Sequence, residues 1–359
     1  MGPNLSFFTL EQFVQDISRQ DAVWSSAPRA NLIRHFMALR DAHLLTDRQS
    51  KRCLLQSFKK AVSDQEPQFR DDQQKDAHEF LTTVLNQISS PASSLTGTAA
   101  RNSRTYTCPV EDNMTFKMKS TRTCKSCGDQ SRRTEEFTNL SLNLVPGSTV
   151  ENMIEDYLTE TELEYKCSCG GNTSRMRVEF ETMPRVLILH LKRFCYTSSY
   201  ELMKVHQPVE LSRDLVISSK QGGRCYSLCS TISHLGYSGE EGHYICDSVD
   251  PEDDPNQPTD HWLTFDDSKV TKTTGWIRAG GEMWDILEGG LDQKPKIRRT
   301  QEEQYQGDKL SLDQQIINGV THISDGQRSS PQEGLACSLE QQQKAGERHD
   351  DEKQKKMKE

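Results

Sequence analysis

The chain has 359 residues and a formal net charge of -9, with 33% hydrophobic and 27% charged residues. This acidic balance argues against a general nucleic-acid binder, and the mean hydropathy of -0.77 leaves part of the length too polar to pack. No apolar run approaches the roughly 20 residues of a membrane helix. No signal peptide is evident. Met1-Gly2 formally opens a myristoylation pattern, but Pro3 beside the acceptor glycine makes it a poor one. Eleven cysteines without a secretion signal point to reduced thiols and metal ligation rather than a disulfide framework.

Taken in chain order, residues 7–90 predict helices. Leu10, Phe13, Val14 and Ile17 recur at helical spacing, Leu32, Ile33, Phe36 and Leu39 continue the pattern, and Gln74 to Ile88 forms a third helix. Residues 89–104, rich in Ser, Thr, Ala and Gly, predict a loop. From about residue 105 the pattern turns to strands at Thr115–Lys119, Glu135–Val145 and Met176–Glu181, with a short helix at Val150–Leu158. Arg185–Phe194 is apolar at nearly every position up to Leu191, which suits a strand buried on both faces. Tyr226–Ile232, His243–Val249 and Trp262–Phe265 continue the sheet. After about Trp284 the composition turns to Gln, Glu, Lys and Asp, and residues 290–359 predict a disordered polar tail.

Two groups of residues carry candidate chemistry. His243 opens one strand and Asp266 ends the next. An imidazole there could serve as general base toward a thiol and as general acid toward a leaving amine, with the carboxylate fixing its tautomer. Asp267, one residue on, should point the other way. On spacing alone, a strand histidine beside a solvated Asp-Asp turn explains the same residues. The second group is Cys124-Lys125-Ser126-Cys127 with Cys167-Ser168-Cys169, about forty residues apart. Four thiolates from two turns suit a closed tetrahedral zinc site. The single residue between Cys167 and Cys169 shortens the bite, so a weakened site or simple reduced thiols also fit, and Cys108 is a possible substitute ligand.

Four blocks in order give these residues a context: Gln73-Gln74-Lys75-Asp76-Ala77-His78-Glu79-Phe80-Leu81, Arg122-Thr123-Cys124-Lys125-Ser126-Cys127, Met183 to Phe194, and Gly242-His243-Tyr244 with Trp262 to Val270. Together they resemble the ubiquitin-specific proteases (ubiquitin carboxyl-terminal hydrolases), cysteine deubiquitinases that cleave after the C-terminal glycine of ubiquitin. The resemblance implies an α+β, papain-like fold in its fingers–palm–thumb variant over residues 5–275. The thumb would cover about 5–90, the zinc-bearing fingers about 105–180 and the palm about 181–275. By position His243 matches the catalytic histidine and Asp266 its orienting residue, while Cys124, Cys127, Cys167 and Cys169 match the structural zinc ligands. Asp76 and Glu79 match a box that shapes the thumb and the bound tail; an exposed helix turn is the alternative.

The resemblance also implies two departures. The family's Gly-Asn-Thr-Cys box would lie before Met1, so the nucleophile is not in this chain. Cys53, Cys195, Cys225, Cys229 and Cys246 are all poorly placed to replace it. The segment Thr271–Glu282 is too glycine-rich to supply the strand that closes the palm, so the domain is expected to be incomplete at both ends. The resulting expectation is a deubiquitinase domain inactive as written; the alternative is a non-catalytic ubiquitin-binding module or a truncated gene product. Its partner would be ubiquitin or ubiquitinated proteins, with no nucleic acid and no membrane, in the cytoplasm or nucleus.

Overall fold

A computed structural model describes residues 10–42, 47–145, 147–196, 202–206, 209–219, 222–236, 242–250, 261–267, 269–274 and 282–289. All of these except Tyr196 belong to one compact unit, Met1–Cys195 with Glu201–Leu291. Among the described residues no helix is long and apolar enough to cross a membrane.

The first third is helical: α1 (Glu11–Ser18), α2 (Asp21–Trp24), α3 (Asn31–Asp41), α4 (Arg48–Gln65), α5 (Ala77–Ser89), α6 (Ala92–Arg101) and α7 (Pro109–Asn113). The apolar stripe of the sequence is the face that packs: Leu10, Phe13, Val14 and Ile17 are all buried, with Ile33, Phe36, Val84, Leu85 and Ile88 in the same core. Side-chain caps set two of the helix starts. Asp47 accepts from the amides of Gln49 and Ser50 at α4, and Asp76 accepts from the Glu79 amide at 2.8 Å at α5.

The remainder builds two main sheets. A four-stranded antiparallel sheet runs in the order β2 (Gln130–Phe137), β1 (Phe116–Cys124), β5 (Thr173–Phe180) and β4 (Thr161–Glu164), with α8 (Val150–Leu158) between β4 and β3 (Leu140–Asn143) in the chain. The larger sheet has eight strands. Its chain order after β3 is β6 (Val186–Lys192), β9 (Asp214–Ile217), β10 (Arg224–Leu235), β11 (His243–Val249), β12 (His261–Asp266), β13 (Lys269–Thr274) and β14 (Glu282–Gly289); the short strands β7 (Phe194–Tyr196) and β8 (Leu202–Lys204) lie outside it. Its spatial order is β13-β12-β11-β10-β14-β6-β3, with β9 also pairing β10. Strand β6 is buried on both faces, as its unbroken apolar run requires. Val186 and Ile188 join the helical core, while Leu187, Leu189 and Leu191 join a second core with Phe116, Phe180 and Ile154.

Three expectations change. The segment 89–104 is not a loop throughout: α6 forms within it, because Leu95 and Ala99 bury against the helical core despite the polar composition around them. The sheet does not lack its closing strand. Strand β14 follows the glycine-rich stretch and inserts between β10 and β6, pairing antiparallel with both. A domain end near 275 therefore falls short, because Met283, Trp284, Ile286 and Leu287 lie beyond the glycines that seemed to stop the pattern. Residues 290–359, expected to form a polar tail, lie outside the described residues.

Candidate active site and cysteine cluster

His243 is the first residue of β11 and Asp266 the last of β12. The pairing Cys246↔Phe265, continued by one residue, places Asp266 opposite Ile245, on the same face as His243. The two side chains meet: His243 Nε2 lies 2.6 Å from Asp266 Oδ1, with both groups about half exposed. A neutral imidazole bonded this way carries its proton on Nε2 and leaves Nδ1 as the basic atom. Asp267 does not point away as strand alternation suggests. Its backbone is left-handed, with φ of 50°, and its carboxylate lies within 4.8 Å of the His243 and Asp266 ligand atoms. The turn residue thus adds a second negative charge beside the imidazole.

The helical lobe reaches this arm through the segment before α5. Gln74 Oε1 accepts from the Gly242 amide at 3.0 Å, and Tyr244 donates its hydroxyl to Asp76 Oδ2 at 3.4 Å. Asp76 is thus both helix cap and tether to β11, while Glu79 accepts from Gln68. Gly242 leaves room not for a ligand but for the ring of His234: a Cβ at 242 would stand 1.9 Å from His234 Nε2 and 2.7 Å from the Leu235 carbonyl oxygen. Gly242→Ala is accordingly expected to cost at least about 1–3 kcal/mol of stability, as overpacking does. Gly223→Ala, whose added carbon would meet nothing closer than 3.5 Å, is the tolerated control. Urea denaturation of both variants measures the difference.

Among the described residues, neither His190 nor His261 joins the arm. His190 is bonded through Nδ1 to Ser141 at 3.1 Å and stacks on His78 at 4.2 Å between ring centroids. His261 is exposed. Two of the cysteines read as poor substitutes for the nucleophile have defined surroundings. Cys53 is exposed on α4, and Cys246 is buried on the face of β11 opposite His243, with its sulfur 3.4 Å from Ser230 Oγ. Cys108 is buried near α7, and desolvation raises its thiol pKa.

Cys124, Cys127, Cys167 and Cys169 converge at the tip of the four-stranded sheet. All four sulfurs lie within 4.8 Å of one another, with Cys124–Cys169 and Cys127–Cys167 each at 3.8 Å. A tetrahedral ion with bonds of about 2.3 Å requires sulfur separations of about 3.8 Å, so this set could hold a metal ion. Two tight turns make the fit. Gly128 and Gly170 take positive φ of 77° and 89°, the Gly128 amide donates to the Cys124 carbonyl, and the Gly170 amide donates to the Cys167 carbonyl. The second turn offsets the one-residue spacing of Cys167 and Cys169. Gly171 lets the turns touch: a Cβ there would stand 2.5 Å from Ser126 Oγ and 3.3 Å from Cys124 Sγ. The amides of Cys127 and Ser126 bring the Cys124 thiol down to about 6. The Cys127 thiol rises to about 12: the Asp129 amide pulls it down, but bonding to the Cys169 and Cys124 sulfurs outweighs that. Of this linked pair, Cys124 is the thiol that ionises more readily and Cys127 the one that resists.

Residues 5–293 match the family model for ubiquitin carboxyl-terminal hydrolase. Human ubiquitin carboxyl-terminal hydrolase 37 is 34% identical over 235 residues, which are 60% of this chain and 24% of that protein. Mouse ubiquitin carboxyl-terminal hydrolase 29 is 30% identical over 230 residues, 60% of this chain and 26% of that protein. The chain thus spans about a quarter of the curated relatives it matches. Among solved structures, the SAGA DUB module of Ubp8, Sgf11, Sus1 and Sgf73 bound to monoubiquitin matches with a TM-score of 0.63 at 19% identity, over 80% of this chain and 68% of that one. The module bound to ubiquitin aldehyde gives 0.62 at 18% identity, with the same coverage of both chains.

A helical lobe packed on one face of a mostly antiparallel sheet, with a separate four-stranded projection, is the α+β fingers–palm–thumb form of the papain-like fold. The chain belongs to the ubiquitin carboxyl-terminal hydrolase family.

Proposed function

We propose that this chain is a ubiquitin-binding deubiquitinase domain in which His243 and Asp266 form the base and orienting pair, and that a polypeptide of these 359 residues alone holds ubiquitin without cleaving it. The 2.6 Å contact between His243 Nε2 and Asp266 Oδ1 carries the proposal. It leaves His243 Nδ1 to take a proton from a thiol, return it to the leaving amine, and meanwhile be stabilised as imidazolium by the carboxylate. The thiol itself is what this sequence does not supply: its first cysteine is Cys53, on α4. Loss of a nucleophile typically costs on the order of a millionfold in turnover. The relatives' names and the ubiquitin bound in the matched modules support ubiquitin as the partner. The cytoplasm and nucleus, where reduced thiols persist, are the proposed locations.

Zinc is the proposed ion for the cysteine cluster. Cys124, Cys127, Cys167 and Cys169 would hold it as a closed structural site that cross-links the tips of two hairpins. The retained histidine–aspartate pair also favours a second role: in a longer polypeptide with a thiol ahead of α1, the same arm hydrolyses the bond after ubiquitin's last glycine.

Ubiquitin titration by calorimetry, paired with a ubiquitin probe whose C-terminal electrophile traps active thiols, tests the proposal. Binding without a covalent adduct is expected. A probe adduct on any cysteine overturns the non-catalytic assignment, and absence of binding overturns the ubiquitin partner.

A further inference from the structure

Behind the arm, on the face of β10 and β11 opposite His243, lies a buried lysine. Lys204, on β8, is 5% exposed. Three acceptors converge on its ammonium: His234 Nδ1 at 2.7 Å, the His234 carbonyl oxygen at 3.0 Å and the Gly236 carbonyl oxygen at 3.0 Å. An ammonium has three protons to give and no acceptor, so this arrangement satisfies it inside the protein. It also fixes the partner ring. With Nδ1 accepting from lysine, His234 is neutral and carries its proton on Nε2. Burial first, then Lys204, brings its pKa down to about 4, with Asp76 opposing and His243 adding to the effect.

His234, itself 5% exposed, is placed to transmit this order. It pairs across the ladder with Tyr244, and Leu235 pairs with His243. Its ring lies 4.8 Å from the Tyr244 ring and 6.1 Å from the Phe194 ring, and its Nε2 abuts the α-carbon of Gly242. It therefore contacts both residues that flank His243. Tyr244 and Gly242 are the two residues bonded to Asp76 and Gln74. The backbone that carries the His243 imidazole is thus held from below by Lys204 and His234, and from the side by the segment that starts α5.

We propose that Lys204 and His234 are positioning residues for His243: the ammonium locks the His234 ring, and the ring sets the backbone of Gly242-His243-Tyr244 so that the His243 imidazole meets Asp266. The inference rests on the reading of His243–Asp266 as the working pair. Neither residue touches the reacting atoms. A Lys204→Met change removes the lock, and His234→Phe keeps an aromatic ring while removing its acceptor.

The test uses the full chain labelled with 15N-histidine and read by long-range proton–nitrogen correlation. In the wild type near pH 7.5, His234 should be neutral with its proton on Nε2, and the His243 Nε2 proton should be protected by its bond to Asp266. In Lys204→Met and His234→Phe, that proton should exchange at least tenfold faster and the His243 ring should show mixed tautomers. Lys204→Gln, whose amide restores a donor group, should recover part of the signature. Ile88→Val, a change in the helical core, lowers stability without touching the network and should leave the His243 signals as they are. Unchanged His243 signals in both network variants would overturn the proposal. So would a wild-type His234 with its proton on Nδ1, a result that needs no variant to fold. Failure of ubiquitin to bind the wild type would instead remove the functional reading while leaving these ring signals untouched.

Discussion

Cys167→Ser is expected to strip the proposed metal from the tip of the four-stranded sheet and to lower its affinity by a hundredfold or more. Cys167 is the more buried member of its pair, 3.8 Å from Cys127, and its amide donates to the Gly171 carbonyl, so it anchors the turn as well as a ligand position. A hydroxyl there is neither a thiolate nor long enough to span the gap. Structural zinc sites contribute apparent binding on the order of 10 kcal/mol or more, and small hairpin units depend on it. The core of this sheet lies at its base, with Phe116, Met118 and Phe180, while β2 is exposed along most of its length. The tip should therefore lose order while the helical lobe and the large sheet, whose shared cores do not include the four cysteines, remain folded. Metal content after dialysis against a chelator, together with hydrogen exchange at Thr121–Cys127 and Cys167–Arg175, measures both effects. Cys53→Ser, at an exposed thiol on α4, is the silent control. A wild-type chain purified from zinc-replete medium without metal would end the zinc assignment.

A second large effect is expected on acidification. His190 is held neutral inside the protein: burial first, then the neighbouring charges of His78 and Lys192, brings its pKa down to about 2. In the unfolded chain it titrates near 6.5. The folded pKa lies below the unfolded one, so the unfolded state takes up the proton first as pH falls. Stability is thus full above about pH 6.5 and declines below it, by up to about 1.4 kcal/mol per pH unit for this residue. Between pH 6.5 and 5 that amounts to about 2 kcal/mol, before most carboxylates titrate. His234, brought down to about 4, pushes in the same direction over its narrower window. Urea denaturation across that range should give a steeper decline for the wild type than for His190→Gln, which removes the titration and keeps a polar partner for Ser141. Equal slopes would show that the buried imidazole does not set the acid sensitivity.

How much of this was legible in the sequence depended on the range of the interaction involved. Strand alternation alone left the His243–Asp266 arm open, since a solvated Asp-Asp turn fitted the same residues; the resemblance to the ubiquitin-specific proteases singled it out, and the two side chains do meet. The apolar run Val186–Leu191 announced a doubly buried strand on its own. The cysteine spacing announced a cluster, but only the positive φ of Gly128 and Gly170 shows how a one-residue spacing closes it. Asp267 escaped because a left-handed residue breaks the alternation on which its outward orientation rested. Helix α6 escaped because Leu95 and Ala99 bury through tertiary contacts that its polar composition does not advertise. Lys204 gave no local signal, and Gln74 stood in a matched block that did not reveal its contact. Their partners lie 30 and 168 residues away, and a buried lysine looks in sequence like any solvated one.

The order of strands in the large sheet has a consequence for how the protein is made. Strand β14 comes last in the sequence, yet it lies between β10 and β6. While the chain is emerging from the ribosome, β6 with β3 and β10 with β9, β11, β12 and β13 are two half-sheets with open inner edges. They can be joined only once Glu282–Gly289 has been translated and released from the exit tunnel. Pairings of such long sequence separation form slowly, and unpaired edges meanwhile invite contact with other chains. A nascent polypeptide halted just short of Glu282 would carry the whole histidine–aspartate arm and still fail to close the sheet that supports it.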